Sequence, residues 1–122
     1  MSFLTHISPR LEKQGSGSIA VITSVAGDRG KQTNFVYGAA KAGLSCYLEG
    51  LRVKLYKVGV HVLDIKPGFV KTPMTQHLQQ GILFAEAESV AKDIHRAIVR
   101  KRDVLYTPWF WCYIMLIIRS IP

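Results

Sequence analysis

The chain is poor in cysteine and in acid: it has two cysteines, and eight Asp and Glu stand against sixteen Lys and Arg. Cys46 and Cys112 lie far apart without metal-ligand spacing, so no metal site is expected. Their apolar neighbours predict two buried or partly buried thiols in a reducing, cytoplasmic setting. The first ten residues, Met1 to Arg10, hold neither a basic n-region nor a long apolar stretch, which speaks against a secretory signal peptide. The shortage of acid leaves a formal net charge of +8, which first suggests nucleic acid or another anionic surface, because clustered Lys and Arg release counterions from phosphates. The basic residues are instead scattered from Arg10 to Arg119, with a run only at Arg100-Lys101-Arg102 and no basic helix interleaved with aromatics. Nucleic acid is therefore not expected as a partner.

What is present is the composition of a globular domain: 122 residues, 48% hydrophobic and 20% charged, with ten Gly and five Pro. Phe3, Leu4, Ile7 and Leu11 recur at helical spacing and predict a short helix ending before Gly15-Ser16-Gly17, with Pro9 predicting a kink or a late start. The run Ser18 to Thr23 is apolar and β-branched, as expected of a strand buried on both faces of a parallel sheet. A polar, glycine-bearing loop follows from Ser24 to Asn34, then a long helix over 35–57. Val60 to Ile65 reads as a second buried strand broken by Pro67-Gly68, 86–101 as an amphipathic helix and Val104 to Thr107 as a short strand. This alternation predicts an α/β fold with parallel strands joined by right-handed crossovers.

The helix over 35–57 carries Tyr37, Lys41, Leu44, Leu48, Leu51 and Leu55 on one stripe. Burying its leucines would bring Tyr37 and Lys41 to the carboxyl ends of the strands, where open α/β sheets bind ligands. A tyrosine is a poor proton donor and acceptor at neutral pH, but an ammonium group one helical turn away favours the phenolate. Such a pair can exchange a proton with an oxygen whose carbon exchanges a hydride with a nicotinamide ring. Tyr-x-x-x-Lys alone is weak, since a tyrosine and lysine on an exposed helix need mean nothing. Two further pieces stand at strand ends: Ser24, within Ile22-Thr23-Ser24-Val25-Ala26-Gly27, and Pro67-Gly68-Phe69-Val70-Lys71-Thr72. There Gly68 would let backbone approach a ligand, and Thr72 offers a hydroxyl.

With these pieces, in this order, the sequence resembles the short-chain dehydrogenase/reductase family, in motif detail from about Ile19 to Thr72 and more loosely to Thr107. The resemblance implies Ser24 as the group orienting the substrate oxygen, Tyr37 as general acid/base, and Lys41 as its tuner and as a ribose anchor. It implies Pro67, Gly68, Val70 and Thr72 beside the nicotinamide of NAD or NADP. The implied function is oxidoreduction of a secondary alcohol and a carbonyl by hydride transfer. Ala26-Gly27-Asp28-Arg29-Gly30 and the tail Tyr106-Thr107-Pro108-Trp109-Phe110-Trp111 further resemble bacterial members related to the reductase of a polyprenyl-phosphate-linked pentose.

The family's glycine-rich Thr-Gly-x-x-x-Gly-x-Gly turn and its Asn-Ala-Gly segment are not found in the chain, which leaves the choice of NAD or NADP open. The expected fold class is therefore an NAD(P)-binding, Rossmann-like doubly wound parallel sheet of which only the C-terminal portion is here, a partial domain over 1–122 with an apolar segment at 108–122. The alternative function is an inactive, truncated fragment or paralogue acting as a subunit-interaction module. Ala39, Gly43, Cys46 and Gly50 form a small-residue stripe for tight packing within the chain or, as the resemblance implies, for a homo-oligomer through helix 35–57. Residues 109–118 have two readings: a buried terminal helix, or a peripheral membrane contact at the inner face that would suit a lipid-linked sugar.

Overall fold

The computed structural model describes residues 2–71 and 84–122. The elements in chain order are α1 (Ser2–Gln14), β1 (Ser18–Ile22), a 3-10 turn (Val25–Gly27), α2 (Phe35–Tyr56), β2 (His61–Pro67), β3 (Phe69–Lys71), β4 (Phe84–Glu86), α3 (Ala87–Val99), β5 (Val104–Thr107) and α4 (Trp111–Arg119). β1, β2 and β5 form a parallel sheet in that order, and β3 pairs in parallel with β4.

Alternating side chains of β2 serve two cores, because successive residues of a strand face opposite sides of its sheet. Val62 joins Ile19 and Val60 against α1 and α2, with Leu4, Leu48, Leu51 and Leu55 completing the cluster. Leu63 and Ile65 face the other way, onto Ala97, Ile94 and Ile98 of α3. Leu48 and Leu55 are fully buried, as the leucine stripe predicts, and α2 ends one residue earlier than expected from the sequence.

Several sequence expectations need correction. The chain was expected to hold the C-terminal portion only of a Rossmann-like sheet, as a partial domain over 1–122, yet elements from α1 to β5 share its cores and its parallel sheet. The α/β fold thus runs through nearly the whole chain. β1 is buried at Ile19 but exposed at Ser18, Ala20 and Ile22, the last at 57%, because those alternate residues face away from α1 and α2, on the side where α3 packs on β2 rather than on β1. Pro9 leaves α1 unbroken in extent, and Cys46 and Cys112 are both exposed, since each lies on a helix face turned away from the sheet. α4 is neither fully buried nor fully exposed: Trp111 and Met115 are buried, while Tyr113, Leu116 and Ile117 face outward.

Leu55 sits at zero exposure where α1, α2 and β2 meet, so Leu55→Ala should cost about 2–5 kcal/mol of unfolding free energy. Urea denaturation monitored by circular dichroism measures the loss; a midpoint unchanged from the parent would show that the cluster is not the core.

Candidate active site

Thr23, just past β1, pins that strand to its neighbour. Its backbone N–H donates to the Ile65 carbonyl at 2.7 Å, and its buried hydroxyl donates to the Asp64 carboxylate at 2.5 Å. Ser24 therefore leaves the sheet from a fixed point. Its hydroxyl oxygen accepts the Ala26 N–H at 3.0 Å and so caps the 3-10 turn over Val25–Gly27, leaving its own proton free to donate.

That turn lies directly on α2, and two glycines make the approach feasible. A β-carbon on Gly38 would lie 2.9 Å from the Ala26 carbonyl oxygen, and one on Gly27 would lie 2.8 Å from the Ala42 nitrogen. Any side chain there would push loop and helix apart. The contact brings Ser24 to the same end of α2 as Tyr37 and Lys41. Tyr37 is 46% exposed, and the Lys41 ammonium stands 5.6 Å from the centre of its ring. No hydrogen bond joins Ser24 to Tyr37 among the described residues.

Asp28, one residue beyond the turn, is a hub absent from the sequence-based list. One carboxylate oxygen accepts Lys66 Nζ of β2 at 2.7 Å, and the other accepts the Tyr106 hydroxyl of β5 at 2.5 Å. Lys66 also stands 5.5 Å from the Tyr106 ring centre. The Asp28 and Lys66 side chains are only 5% and 13% exposed, so their desolvation is offset by this double pairing. Neighbouring Arg29 donates to the carbonyls of Ile118 at 3.0 Å and Ile121 at 2.6 Å, tying the Ser24 loop to the end of α4. Burial, followed by the hydrogen bond and the charge of Asp28, pushes the Tyr106 hydroxyl well above the usual tyrosine range.

The second strand-end motif is only partly within the described residues. Pro67 pairs with Thr107 at the end of β2, and Gly68 donates its N–H to the Thr107 carbonyl at 3.1 Å. The open side of Gly68 is not free: the Trp111 indole lies against it, where a β-carbon would collide with the ring. Val70 belongs to β3, and Thr72 lies outside the described residues. The turn after Ser24 thus packs on the part of α2 that carries Tyr37 and Lys41, while Gly68 is covered by Trp111. The signals for the overlooked residues were present but indirect: Gly27, Gly38 and Asp28 all fall inside the quoted motifs. Their spacing to Lys66, Tyr106 and Trp111 exists only in the folded chain.

A parallel α/β sheet with Ser24 just past the carboxyl end of β1, and Tyr37 and Lys41 on the first turns of α2, is the architecture of a Rossmann-like fold. The short chain dehydrogenase family profile matches residues 1–82, and the chain belongs to that family. An uncharacterized oxidoreductase of Mycobacterium tuberculosis is 38% identical over 122 residues, all of this chain and 49% of the relative. A ketoacyl reductase of Nostoc is 34% identical over 101 residues, 82% of this chain and 35% of the relative. Among solved structures, a short chain dehydrogenase from Burkholderia cenocepacia in complex with NADP superimposes with a TM-score of 0.81 at 20% identity, over 93% of this chain and 47% of that one. A bulky-bulky ketone specific alcohol dehydrogenase from Comamonas testosteroni gives 0.75 at 22% identity, over 97% of this chain and 47% of that one.

Two expectations are corrected by these coverages. The Rossmann-like fold is shared over nearly the whole chain, at 93% and 97%, and is not limited to a C-terminal portion of it. The chain spans about half the length of the curated relatives it matches, 49% and 44% of two bacterial oxidoreductases, which overturns the main reading of the chain as an NAD(P)-dependent oxidoreductase and favours its alternative, a truncated and catalytically incomplete fragment. Among the described residues, no helix is long and apolar enough to cross a membrane.

Gly27→Ala should separate the turn from α2 and cost about 1–3 kcal/mol, read from urea unfolding, because the added methyl meets backbone rather than a movable side chain. Stability should also fall at high pH. Tyr106 ionises in the unfolded chain near its ordinary 10.0 but keeps its proton longer when folded, so above that pH the folded state binds more protons than the unfolded one. Comparing unfolding at about pH 9 and about pH 11 should show a smaller alkaline loss in Tyr106→Phe than in the parent; equal losses would mean that Tyr106 is not held protonated by the fold.

Proposed function

We propose that these 122 residues are a catalytically incomplete short-chain dehydrogenase/reductase unit, a truncated fragment or paralogue that acts by association with another subunit rather than as a free-standing catalyst. The observation that carries this reading is the half-length match to its relatives, with all of the chain aligned to 49% of the mycobacterial oxidoreductase. The described residues do not fit a complete cofactor site: Tyr37 and Lys41 are accessible, but Trp111 covers Gly68 and no glycine-rich pyrophosphate turn occurs in the chain. No reaction step is therefore assigned to the isolated chain.

In a complete unit, Ser24 would orient the oxygen of a small alcohol or carbonyl substrate, Tyr37 would hold or release its proton, and Lys41 would steady the pair. Pro67, Gly68, Val70 and Thr72 would border NAD or NADP, which supplies the hydride when bound. The NADP carried by the Burkholderia structure supports that cofactor class. The α2 face of Ala39, Gly43, Cys46 and Gly50 is exposed throughout and supports pairing of two copies there. Exposed Trp109, Tyr113, Leu116 and Ile117 support peripheral contact with a membrane face, and with it a lipid-linked sugar substrate. Two free thiols suit a cytoplasmic setting.

Titration of the 122-residue chain with NADPH, followed by nucleotide fluorescence, should give no saturable signal. Saturable binding in the micromolar range would overturn the reading of an incomplete unit.

A further inference from the structure

Basic side chains crowd the end of α3 and the turn after it without a carboxylate to answer them. Arg96, Arg100, Lys101 and Arg102 are all exposed, and none of them forms an ion pair among the described residues. The acids near them in sequence are engaged elsewhere: Asp103 with Arg52 at 3.7 Å, and Asp93 with the Thr107 hydroxyl at 2.8 Å. Arg96, Arg100 and Arg102 line a cleft of about 420 Å³ between α3, β5 and the start of α4, together with Asp93, Trp109 and Cys112. Guanidinium groups gathered in a cleft suit a phosphate, whose oxygens they can hold in pairs.

An apolar stripe leaves this cleft along α4. Trp109, Tyr113, Leu116 and Ile117 recur at spacings of three and four and are exposed, Trp109 at 71%. The Trp109 and Tyr113 rings meet edge to face at 6.0 Å. Arg119 follows Cys112 by two helical turns, on the row beside the stripe. The inner face of α4 seats Trp111 and Met115 in the protein, so the outer face has no cover from α4's own packing.

Charge complementarity selects what fits both features at once. A nucleic acid answers the cations but not the aliphatic stripe, and an apolar protein surface does the reverse. An anionic leaflet offers phosphates at one level and acyl chains just beneath them, and Trp and Tyr favour the boundary between the two. No helix among the described residues is long enough to span a bilayer, so the contact is one in the plane of the surface.

We propose that the cleft between α3 and α4 is a site for the phosphate headgroup of an anionic membrane lipid, with the outer face of α4 set in the acyl boundary of the same leaflet. The inference rests on the reading of peripheral membrane contact through α4 and names the headgroup chemistry that this contact selects.

The test measures co-sedimentation of the 122-residue chain with vesicles of phosphatidylcholine, alone or mixed with phosphatidic acid. Binding to the mixed vesicles should be saturable and at least about tenfold tighter than to phosphatidylcholine alone. Trp111 is already buried, so a blue shift of emission and quenching by brominated lipid should report Trp109. Arg96→Gln with Arg100→Gln should weaken binding to the mixed vesicles by about thirtyfold. Lys13→Gln with Lys57→Gln removes the same charge from the α1 and α2 side of the sheet and should weaken it by less than about threefold, because screening confines the attraction to nearby charges. Circular dichroism verifies folding; if the arginine pair does not fold, Arg100→Gln with Arg102→Gln takes its place. Equal affinity for the two kinds of vesicle, lost in Leu116→Ser with Ile117→Ser, would overturn the headgroup site while leaving the membrane contact. Equal losses from the arginine and lysine pairs would reduce the attraction to diffuse charge and overturn the cleft. Binding to neither vesicle, binding that leaves Trp109 unquenched, or burial of Trp109 by self-association without lipid would overturn the membrane contact itself.

Discussion

Burial of Leu48, Leu51 and Leu55 against β1 and β2 sets both the axis and the rotation of α2. A helix turns once in 3.6 residues, so fixing the leucines at one end fixes the direction of Tyr37 and Lys41 at the other. The same contact presents Gly38 and the Lys41–Ala42 backbone to the turn after Ser24, and the missing side chains of Gly27 and Gly38 let the two surfaces meet. Apolar burial far from the chemistry thus determines which polar groups come together.

Around this contact the chain uses electrostatics where it lacks apolar surface. Asp28 pairs with a lysine of β2 and a tyrosine of β5, and Arg29 reaches the carbonyls of Ile118 in the last turn of α4 and Ile121 beyond it. A buried ion pair adds little net stability over a well-packed apolar substitute, but losing one partner strands the other charge. The arrangement therefore acts chiefly to specify geometry, holding the Ser24 loop, the strand end at Lys66 and the C-terminal segment in one relation. On the other side of β1, the end strand of its sheet, Phe3 and Ile22 remain exposed.

Much of the fold was legible in the sequence for particular reasons. The stripe from Tyr37 to Leu55 has a helical period, and Val60 to Ile65 is a β-branched run bounded by Gly59 and Gly68; both became elements within a residue or two of their expected limits. Other features were not legible. A β-branched run looks alike in an interior and an edge strand, so β1 was read as buried on both faces. Apolar neighbours in sequence made Cys46 and Cys112 look buried, although helix geometry turns them outward. The places of Ser24 past a strand end and of Tyr37 and Lys41 on the first turns of α2 were foreseeable from strand ends and helix spacing, whereas the Trp111 cover on Gly68 was not, since those residues lie far apart in the chain.

By itself the sequence determined the local choices, namely a helix read at 35–57, strands read at 18–23 and 60–65, and a serine, a tyrosine and a lysine near their ends. Those follow from periodicity and backbone preference, which act over a few residues. Tertiary structure alone decided which strand became an edge, which acid found Lys66 and Tyr106, and which ring closed over Gly68. Each of these depends on contacts between distant segments, and their free energies exist only once the chain has brought those segments together.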